Sequence, residues 1–157
     1  MGDLNVGKIP LGKITLEKVN LHSDCHIKAI DTMRDKNAID MCYDIYEDIA
    51  AERRGQSFGN PFLVKQDSKY VGYMYVSDQY DGERILAYIV EESVRGKGLG
   101  KVMLTSVSDY LFKCCDTTSL KLYINNKNQA SINLAVGCGF NKTTVTDGVL
   151  CGYDKKR

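Results

Sequence analysis

The spacing of apolar residues along the first half of the chain predicts a strand, a helical region and a hairpin. Residues 14–19 alternate apolar and polar side chains as a strand does. Between residues 23 and 54, apolar side chains recur at helical intervals, and Asn37 divides this region into two predicted helices. Residues 62–65 and 70–76 form a predicted hairpin that turns near residues 66–68. Residues 1–12 hold three glycines and one proline with little periodicity, so we expect a loose lead before a single domain over 13–157.

In the second half of the chain, predicted strands alternate with predicted helices. An apolar run over residues 85–90, expected to pair antiparallel with the preceding strand, leads into a glycine-rich segment and an amphipathic stretch that ends near Lys113. Residues 119–125 alternate as a strand, Asn128 precedes a helical stretch over 129–136, and residues 145–153 supply one or two final strands. The expected order is strand, two helices, three antiparallel strands, helix, strand, helix and one or two strands.

Charge and composition exclude several classes of protein. Lys and Arg number 21 against 20 for Asp and Glu, and this balance gives no general attraction to nucleic acid or to a membrane surface. No apolar run approaches the roughly 20 residues that span a bilayer, so we expect a soluble cytoplasmic protein. The six cysteines contain no Cys-x-x-Cys pair. Reduced thiols are therefore expected, and no metal site.

The glycine-rich segment has the composition of an anion site. It reads Arg95-Gly96-Lys97-Gly98-Leu99-Gly100 and stands between a predicted strand and a predicted helix. The first turn of a helix presents backbone N–H groups and the positive end of the helix dipole, and glycines let the backbone close around a phosphate. The spacing fits neither a P-loop nor a dinucleotide fingerprint, because Val102 follows Lys101 and no glycine stands at position 101.

The pattern that does fit is Arg-x-x-Gly-x-Gly, met by Arg95, Gly98 and Gly100. It resembles the pyrophosphate loop of the GNAT superfamily, the acyl-coenzyme A dependent N-acyltransferases. The order of strand, asparagine, short helix and Gly139-Phe140 is also similar to that family. The resemblance implies an α/β (α+β) fold with a mixed, mostly antiparallel central sheet, helices on both faces and a splayed strand pair. It also implies transfer of an acetyl group from acetyl-CoA to a primary amine, by direct attack in a ternary complex.

The resemblance implies where acetyl-CoA binds. In that fold the pantetheine arm lies between the splayed strands as an extra strand, so the backbone of Tyr88, Ile89 and Val90 is expected to bond its amides. The glycine loop is expected to cradle the pyrophosphate. The residues implied in that cradle are Arg95, Gly96, Lys97, Gly98, Leu99, Gly100 and Lys101. Asn128 is either a ligand of the pantetheine arm or only the N-cap of the following helix.

Acyl transfer from a thioester to an amine needs a base, a donor for the oxyanion and a proton for the departing thiolate. Glu83, six residues before Ile89, resembles the glutamate base of the histone-acetylating branch, although an exposed residue at a strand start would have the same position. A backbone N–H near Val90 is the expected oxyanion donor. Many members carry a tyrosine as the acid where this chain has Ala135. Ser131 resembles the serine of the branch that acetylates N-termini of ribosomal proteins, although a serine there also bonds locally to the backbone.

The acceptor amine stays open, as a small molecule or as a peptide or protein amine, and a homodimer is compatible with the resemblance. Aromatic and acidic side chains occupy the stretch that forms the acceptor wall in this fold, which suits a cationic amine but equally an ordinary solvated helix face. They are Tyr43, Asp44, Tyr46, Glu47 and Asp48. Because Ala135 stands at the tyrosine position, a cofactor-binding sensor or interaction module without catalysis is the alternative. A nucleotide-binding α/β protein is a third possibility, which the glycine spacing disfavours.

Overall fold

A computed structural model of the chain describes residues 4, 6–33, 45–55, 59–145 and 149–157. In these residues one mixed sheet is covered by helices. Its strands are β1 (Lys8–Leu11), β2 (Ile14–Lys18), β3 (Gly59–Gln66), β4 (Lys69–Ser77), β5 (Glu83–Val90), β6 (Ser119–Asn125), β7 (Asn141–Val145) and β8 (Leu150–Lys156). The helices are α1 (Asp24–Met33), α2 (Ile45–Arg53), α3 (Leu99–Cys114) and α4 (Gln129–Gly137), with a single 3₁₀ turn, Glu92–Val94, before α3.

The strands lie in the order β1-β2-β3-β4-β5-β6-β8-β7, and every neighbouring pair is antiparallel except β5 with β6. Alternation along the strands sends apolar side chains to both faces, so both faces must be covered. On one face α3 and α4 bury residues such as Leu104, Val107 and Ala135 against the sheet. On the other face Ile30 of α1 and Ile49 of α2 join a second buried cluster. The predicted fold class is confirmed.

The two parallel strands diverge along their length. The ladder between β5 and β6 holds three residue pairs, from Glu83↔Ser119 to Ile85↔Lys121. Beyond Ile85, β5 continues to pair with β4 as far as Val90, and β6 continues to pair with β8 as far as Asn125. The C-terminal halves of β5 and β6 therefore border a gap that opens toward the glycine-rich segment. The splayed strand pair implied by the resemblance is present.

Local sequence explains most element boundaries, and two differ from the expectation. The β3–β4 turn is made by Asp67 and Ser68, both at positive φ (49° and 67°), as a tight two-residue hairpin turn requires. The expectation of a loose lead does not hold for residues 8–11, which form β1 on the sheet edge and bury Ile9. Pro10 takes an exposed position in β1, and an edge strand tolerates a proline. The final strands begin at Asn141 rather than at residue 145.

Candidate active site

The glycine loop turns tightly between β5 and α3. Gly96 and Gly98 have φ of +79° and +80°, a region that side-chain-bearing residues rarely adopt. Gly98 is the N-cap residue of α3. A Cβ added at either glycine would meet no atom within 4 Å, so the backbone of the loop borders open space. The loop therefore presents main chain, rather than side chains, to a ligand.

Charge and helix geometry around the loop favour an anion. Helix α3 has 16 residues and no acidic residue in its first turn, so the positive end of its dipole is not neutralised there. Lys97 and Lys101 are exposed beside it. The guanidinium of Arg95 is turned back, and its Nε donates to the backbone oxygen of Val90 at 2.9 Å. Arg95 thus fixes the end of β5 against the loop.

Helix α4 approaches this region closely. A Cβ added at Gly100 would lie 2.9 Å from Leu134 Cδ2 and 3.5 Å from Val90 Cγ2. The absent side chain lets the first turn of α3, the end of β5 and helix α4 meet. The buried side chain of Leu99 anchors the start of α3 in the core beneath. Glycine at position 100 therefore serves packing, whereas Gly96 and Gly98 serve backbone conformation.

The register of β5 determines which backbone groups face the gap. The N–H of Glu91 donates to the oxygen of Val71 on the β4 side at 2.9 Å. The direction in which backbone N–H and C=O groups point alternates from one residue of a strand to the next. The groups of Ile89 therefore also point toward β4, whereas those of Tyr88 and Val90 point toward the gap. Of the three residues implied to bond the pantetheine amides, the geometry therefore suits Tyr88 and Val90. Ile89 instead places its side chain in the cluster under α1 and α2.

The first turn of α4 faces β5. Asn128 is its N-cap residue, and the side chain of Asn128 accepts a hydrogen bond from the backbone N–H of Ser131 at 3.2 Å. The hydroxyl of Ser131 lies 2.8 Å from the phenol oxygen of Tyr88, so a hydroxyl pair joins α4 to β5. The family resemblance indicated the backbone of Tyr88 as a contact of the pantetheine arm, but it gave the phenol no role. Two features of the sequence could have indicated the phenol: position 135 is alanine rather than tyrosine, and a tyrosine stands instead at position 88 in β5.

Glu83 lies apart from these groups. It stands at the closed end of the gap, where its Oε1 is 3.5 Å from Lys121 Nζ and its Oε2 is 3.5 Å from Ser119 Oγ. At about 3.3 Å per residue, the five steps along β5 from Glu83 to Tyr88 span about 16 Å. The structure thus brings together Tyr88, Val90, Ser131 and the glycine loop, but not Glu83.

The face under α1 and α2 carries one of the expected acceptor-wall residues. Asp48 is buried, and its Oδ2 accepts a hydrogen bond from the phenol of Tyr73. Tyr73 is the cross-strand partner of Ile89, so this pair lies beside the gap-lining part of β5. The remaining acceptor-wall residues, Tyr43 and Asp44 together with the side chains of Tyr46 and Glu47, lie outside the described part of the chain.

A second polar cluster is buried on the same face, around Glu17 of β2. Tyr70 donates to Glu17 Oε1 at 2.8 Å, and Lys65 Nζ lies 3.4 Å from Oε2. The Nδ1 of His26 accepts from the N–H of Asn20 at 2.9 Å, so the ring proton is on Nε2, which faces Glu17 Oε1 at 3.3 Å. The carboxylate is therefore held by three donors.

These contacts shift two pKa values in opposite directions. Burial alone would raise the pKa of Glu17, but the hydrogen bonds from Tyr70 and His26 and the charge of Lys65 outweigh it and lower that pKa below its ordinary value. Burial, together with the hydrogen bond to Glu17 and its charge, raises the pKa of Tyr70 to about 12. The cluster is thus a carboxylate that stays ionised beside a phenol that stays protonated.

Comparisons with known proteins agree with this geometry. The model of the acetyltransferase (GNAT) family matches residues 21–140. No curated protein sequence matches the chain. Among solved structures, RimL, a ribosomal L7/L12 alpha-N-protein acetyltransferase in complex with coenzyme A, superposes with a TM-score of 0.74 at 15% identity, covering 95% of this chain and 97% of that one.

Two further structures show the same fold. The aminoglycoside acetyltransferase AAC(6')-Ib, in complex with paromomycin and acetyl-CoA, has a TM-score of 0.74 at 17% identity over 93% of this chain and 94% of that chain. The N-acetyltransferase PseH of Campylobacter jejuni, in complex with acetyl coenzyme A, has a TM-score of 0.72 at 18% identity over 92% and 99%.

The longest helix of the described residues is α3, and neither it nor any other helix there is long and apolar enough to cross a membrane. The family match covers most of the chain, and it includes the splayed strands, the glycine loop and the Asn128-capped helix. On this evidence, the chain belongs to the GNAT family of acetyltransferases.

Proposed function

We propose that the protein transfers an acetyl group from acetyl-CoA to a primary amine of a small molecule, peptide or protein. The observation that carries this proposal is the gap between β5 and β6, which opens at a glycine loop on the N-terminus of α3. A ligand that fits both features has an extended arm with amide groups and an anionic group at one end. Acyl-CoA has this shape, and the solved relatives named above bind coenzyme A or acetyl-CoA.

The proposed pose follows from the directions of backbone groups. The pyrophosphate lies on the loop formed by Gly96 and Gly98, where it meets the N–H groups and dipole of α3. The pantetheine arm lies along β5, with its amides opposite the backbone of Val90 and Tyr88. Lys97 and Lys101 add positive charge at the loop.

The acceptor enters from the face under α1 and α2. The buried carboxyl group of Asp48 lies on that face beside the gap-lining part of β5, and a carboxylate there favours a cationic amine. After it loses a proton, the amine nitrogen attacks the thioester carbonyl carbon. A backbone N–H of β5 that faces the gap, that of Tyr88, stabilises the oxyanion. For the proton that the departing sulfur needs, the sequence pattern indicates Ser131, acting directly or through the phenol of Tyr88 that its hydroxyl contacts.

We also propose a cytoplasmic location. Cys25 and Cys114 are exposed free thiols in the structure, which suits a reducing compartment. Acetyl-CoA binding without turnover, by a sensor or interaction module, is the second candidate function. The observation that favours it is Ala135, which is buried and carries no hydroxyl.

The test combines binding and turnover. Calorimetric titration with acetyl-CoA measures affinity, and mass spectrometry then follows acetylated product from a panel of polyamines, amino acids, aminoglycosides and peptides. Mass detection avoids the background that the exposed thiols of Cys25 and Cys114 would give with thiol reagents. Binding with product supports the enzyme, binding without product on the whole panel supports the sensor, and no binding rules out both.

A matched pair of glycine variants locates the binding site. Gly98→Ala and Gly12→Ala both place an alanine at a φ near +80°, and neither new Cβ meets an atom within 4 Å. Each is expected to cost about 1 kcal/mol of stability from left-handed strain. Only Gly98→Ala should weaken acetyl-CoA binding, because its methyl enters the space above the loop. Equal affinities in the two variants would contradict the proposed pyrophosphate site.

A further inference from the structure

Two hydroxyl groups in contact join β5, which borders the gap, to the first turn of α4. Tyr88 extends from β5 toward the α3 and α4 face, where its ring packs against the core. Its phenol oxygen is 2.8 Å from the hydroxyl of Ser131 in the first turn of α4. One turn further along α4, Ala135 is fully buried and has no polar group. The phenol of Tyr88 is therefore held in a fixed position at the gap.

The level of this phenol along β5 matches the place where the reacting sulfur would lie. The pantetheine arm contains two amides, and its stretch from the first amide carbon to the sulfur, when extended, is about as long as three residues of a strand, or about 10 Å. If the first amide lies opposite Val90 at the mouth of the gap, the sulfur reaches the level of Tyr88 or Ala87. The backbone of Tyr88 already faces the gap, so its side chain stands directly above that level.

We propose that Tyr88 is the proton donor to the coenzyme A sulfur, an assignment that rests on the proposed function. The amine nitrogen bonds to the carbonyl carbon, and collapse of the tetrahedral intermediate breaks the C–S bond and leaves its electron pair on sulfur. The phenol O–H of Tyr88 gives its proton to that sulfur. The phenolate regains a proton from water, which takes up the proton that the attacking amine releases.

Ser131 acts through Tyr88 as a positioning residue. Its Oγ–H donates to the phenol oxygen as negative charge develops there, and charge-assisted hydrogen bonds are the stronger kind. The N–H of Ser131 is bound by the Asn128 cap, so the helix start holds the serine in place. The positive end of the α4 dipole lies at the same turn and favours the phenolate. This arrangement supplies from β5 the phenol that position 135 lacks.

The decisive variant is Tyr88→Phe, because it removes one oxygen atom and leaves the backbone of β5 in place. General acids contribute about 10²- to 10⁴-fold to reaction rates. The contribution here should lie at or below the lower end of that range, because a thiolate is a weak base and can leave without being protonated. We therefore expect kcat to fall about 10- to 100-fold, while the KM and Kd for acetyl-CoA stay unchanged. Ser131→Ala should lower kcat by a smaller factor, also without changing the KM for acetyl-CoA. Tyr80→Phe is the control, since Tyr80 is 86% exposed in the β4–β5 connection.

The outcomes separate this assignment from the proposed function. A fall in kcat for Tyr88→Phe with unchanged acetyl-CoA affinity and an unchanged melting temperature supports the donor role. A wild-type enzyme that turns over while Tyr88→Phe keeps its kcat overturns the role of Tyr88 and leaves the acetyltransferase intact. A loss confined to KM overturns the role as well, because it would assign the phenol to binding. Absence of product from the wild type on every amine overturns both proposals together.

Discussion

The Tyr70→Phe variant removes one of the three donors that hold the buried carboxylate of Glu17. A hydrogen bond to a charged group contributes about 1.5–3 kcal/mol, and a neutral one about 1 kcal/mol. Because His26 and Lys65 remain beside Glu17, we expect a loss of about 2 kcal/mol at pH 7. Below the lowered pKa of Glu17 the carboxyl is protonated, and the loss should shrink to about 1 kcal/mol.

The sign of this pH dependence follows from linkage. A carboxyl whose pKa is lower in the folded state adds stability above its unfolded pKa of about 4.3, and this stability is lost as pH falls through the folded pKa. Tyr70→Phe removes a contact that lowers the pKa of Glu17. The variant should therefore lose stability at a higher pH than the wild type during acidification.

Urea unfolding followed by circular dichroism, at pH 7 and at the lowest pH at which the wild type still unfolds cooperatively, measures both losses. Tyr80→Phe serves as the control, because its 86% exposed ring should change the unfolding free energy by less than about 0.5 kcal/mol. A Tyr70→Phe loss of the same size at both pH values would refute the argument, since it would mean that the charge of Glu17 adds nothing to the bond.

Two further substitutions test single contacts. Asn128→Ala removes the cap of α4 and should cost about 1 kcal/mol of stability, which lowers the melting temperature by about 2–4 °C. Asn128→Asp keeps a capping oxygen and should preserve stability. An unchanged Kd for acetyl-CoA in Asn128→Asp would limit the role of Asn128 to capping. Glu83→Gln should leave the pH profile of kcat unchanged, because Glu83 is about 16 Å along β5 from Tyr88 and beside Lys121. A selective loss of kcat at low pH would instead identify Glu83 as the base.

Sequence patterns predicted the fold where a segment's own composition decides its structure. The alternation in β6 and the Asn-capped start of α4 carry their signals within a few residues. By contrast, β1 and β7 form strands because they pair with neighbouring strands, not because of their own composition. The four residues of β1 include a proline, and the polar run that begins β7 at Asn141 shows no apolar alternation, so only their neighbours β2 and β8 make them strands.

In the candidate site too, local features could be predicted from the sequence and contacts between distant residues could not. The tight turn before α3 was predictable because closely spaced glycines between a strand and a helix indicate such a turn, and their spacing is visible in a sequence. The contact between Tyr88 and Ser131 joins residues 43 positions apart, and the three donors around Glu17 come from separate elements. Such contacts depend on register and on which face a side chain occupies, which no local pattern specifies.

Only three residue pairs join β5 to β6, so a ligand arm lying between these strands would complete the sheet there. Beyond those three pairs, the described residues of the unit from β1 to β5 and of the unit from β6 to β8 are joined by the side chains of the shared core rather than by main-chain hydrogen bonds. An arm lying in the gap would add hydrogen bonds along β5 and so slow the exchange of the amide protons that face it. Under the proposed function, hydrogen exchange at Tyr88 and Val90 would then report how much of the protein carries acetyl-CoA.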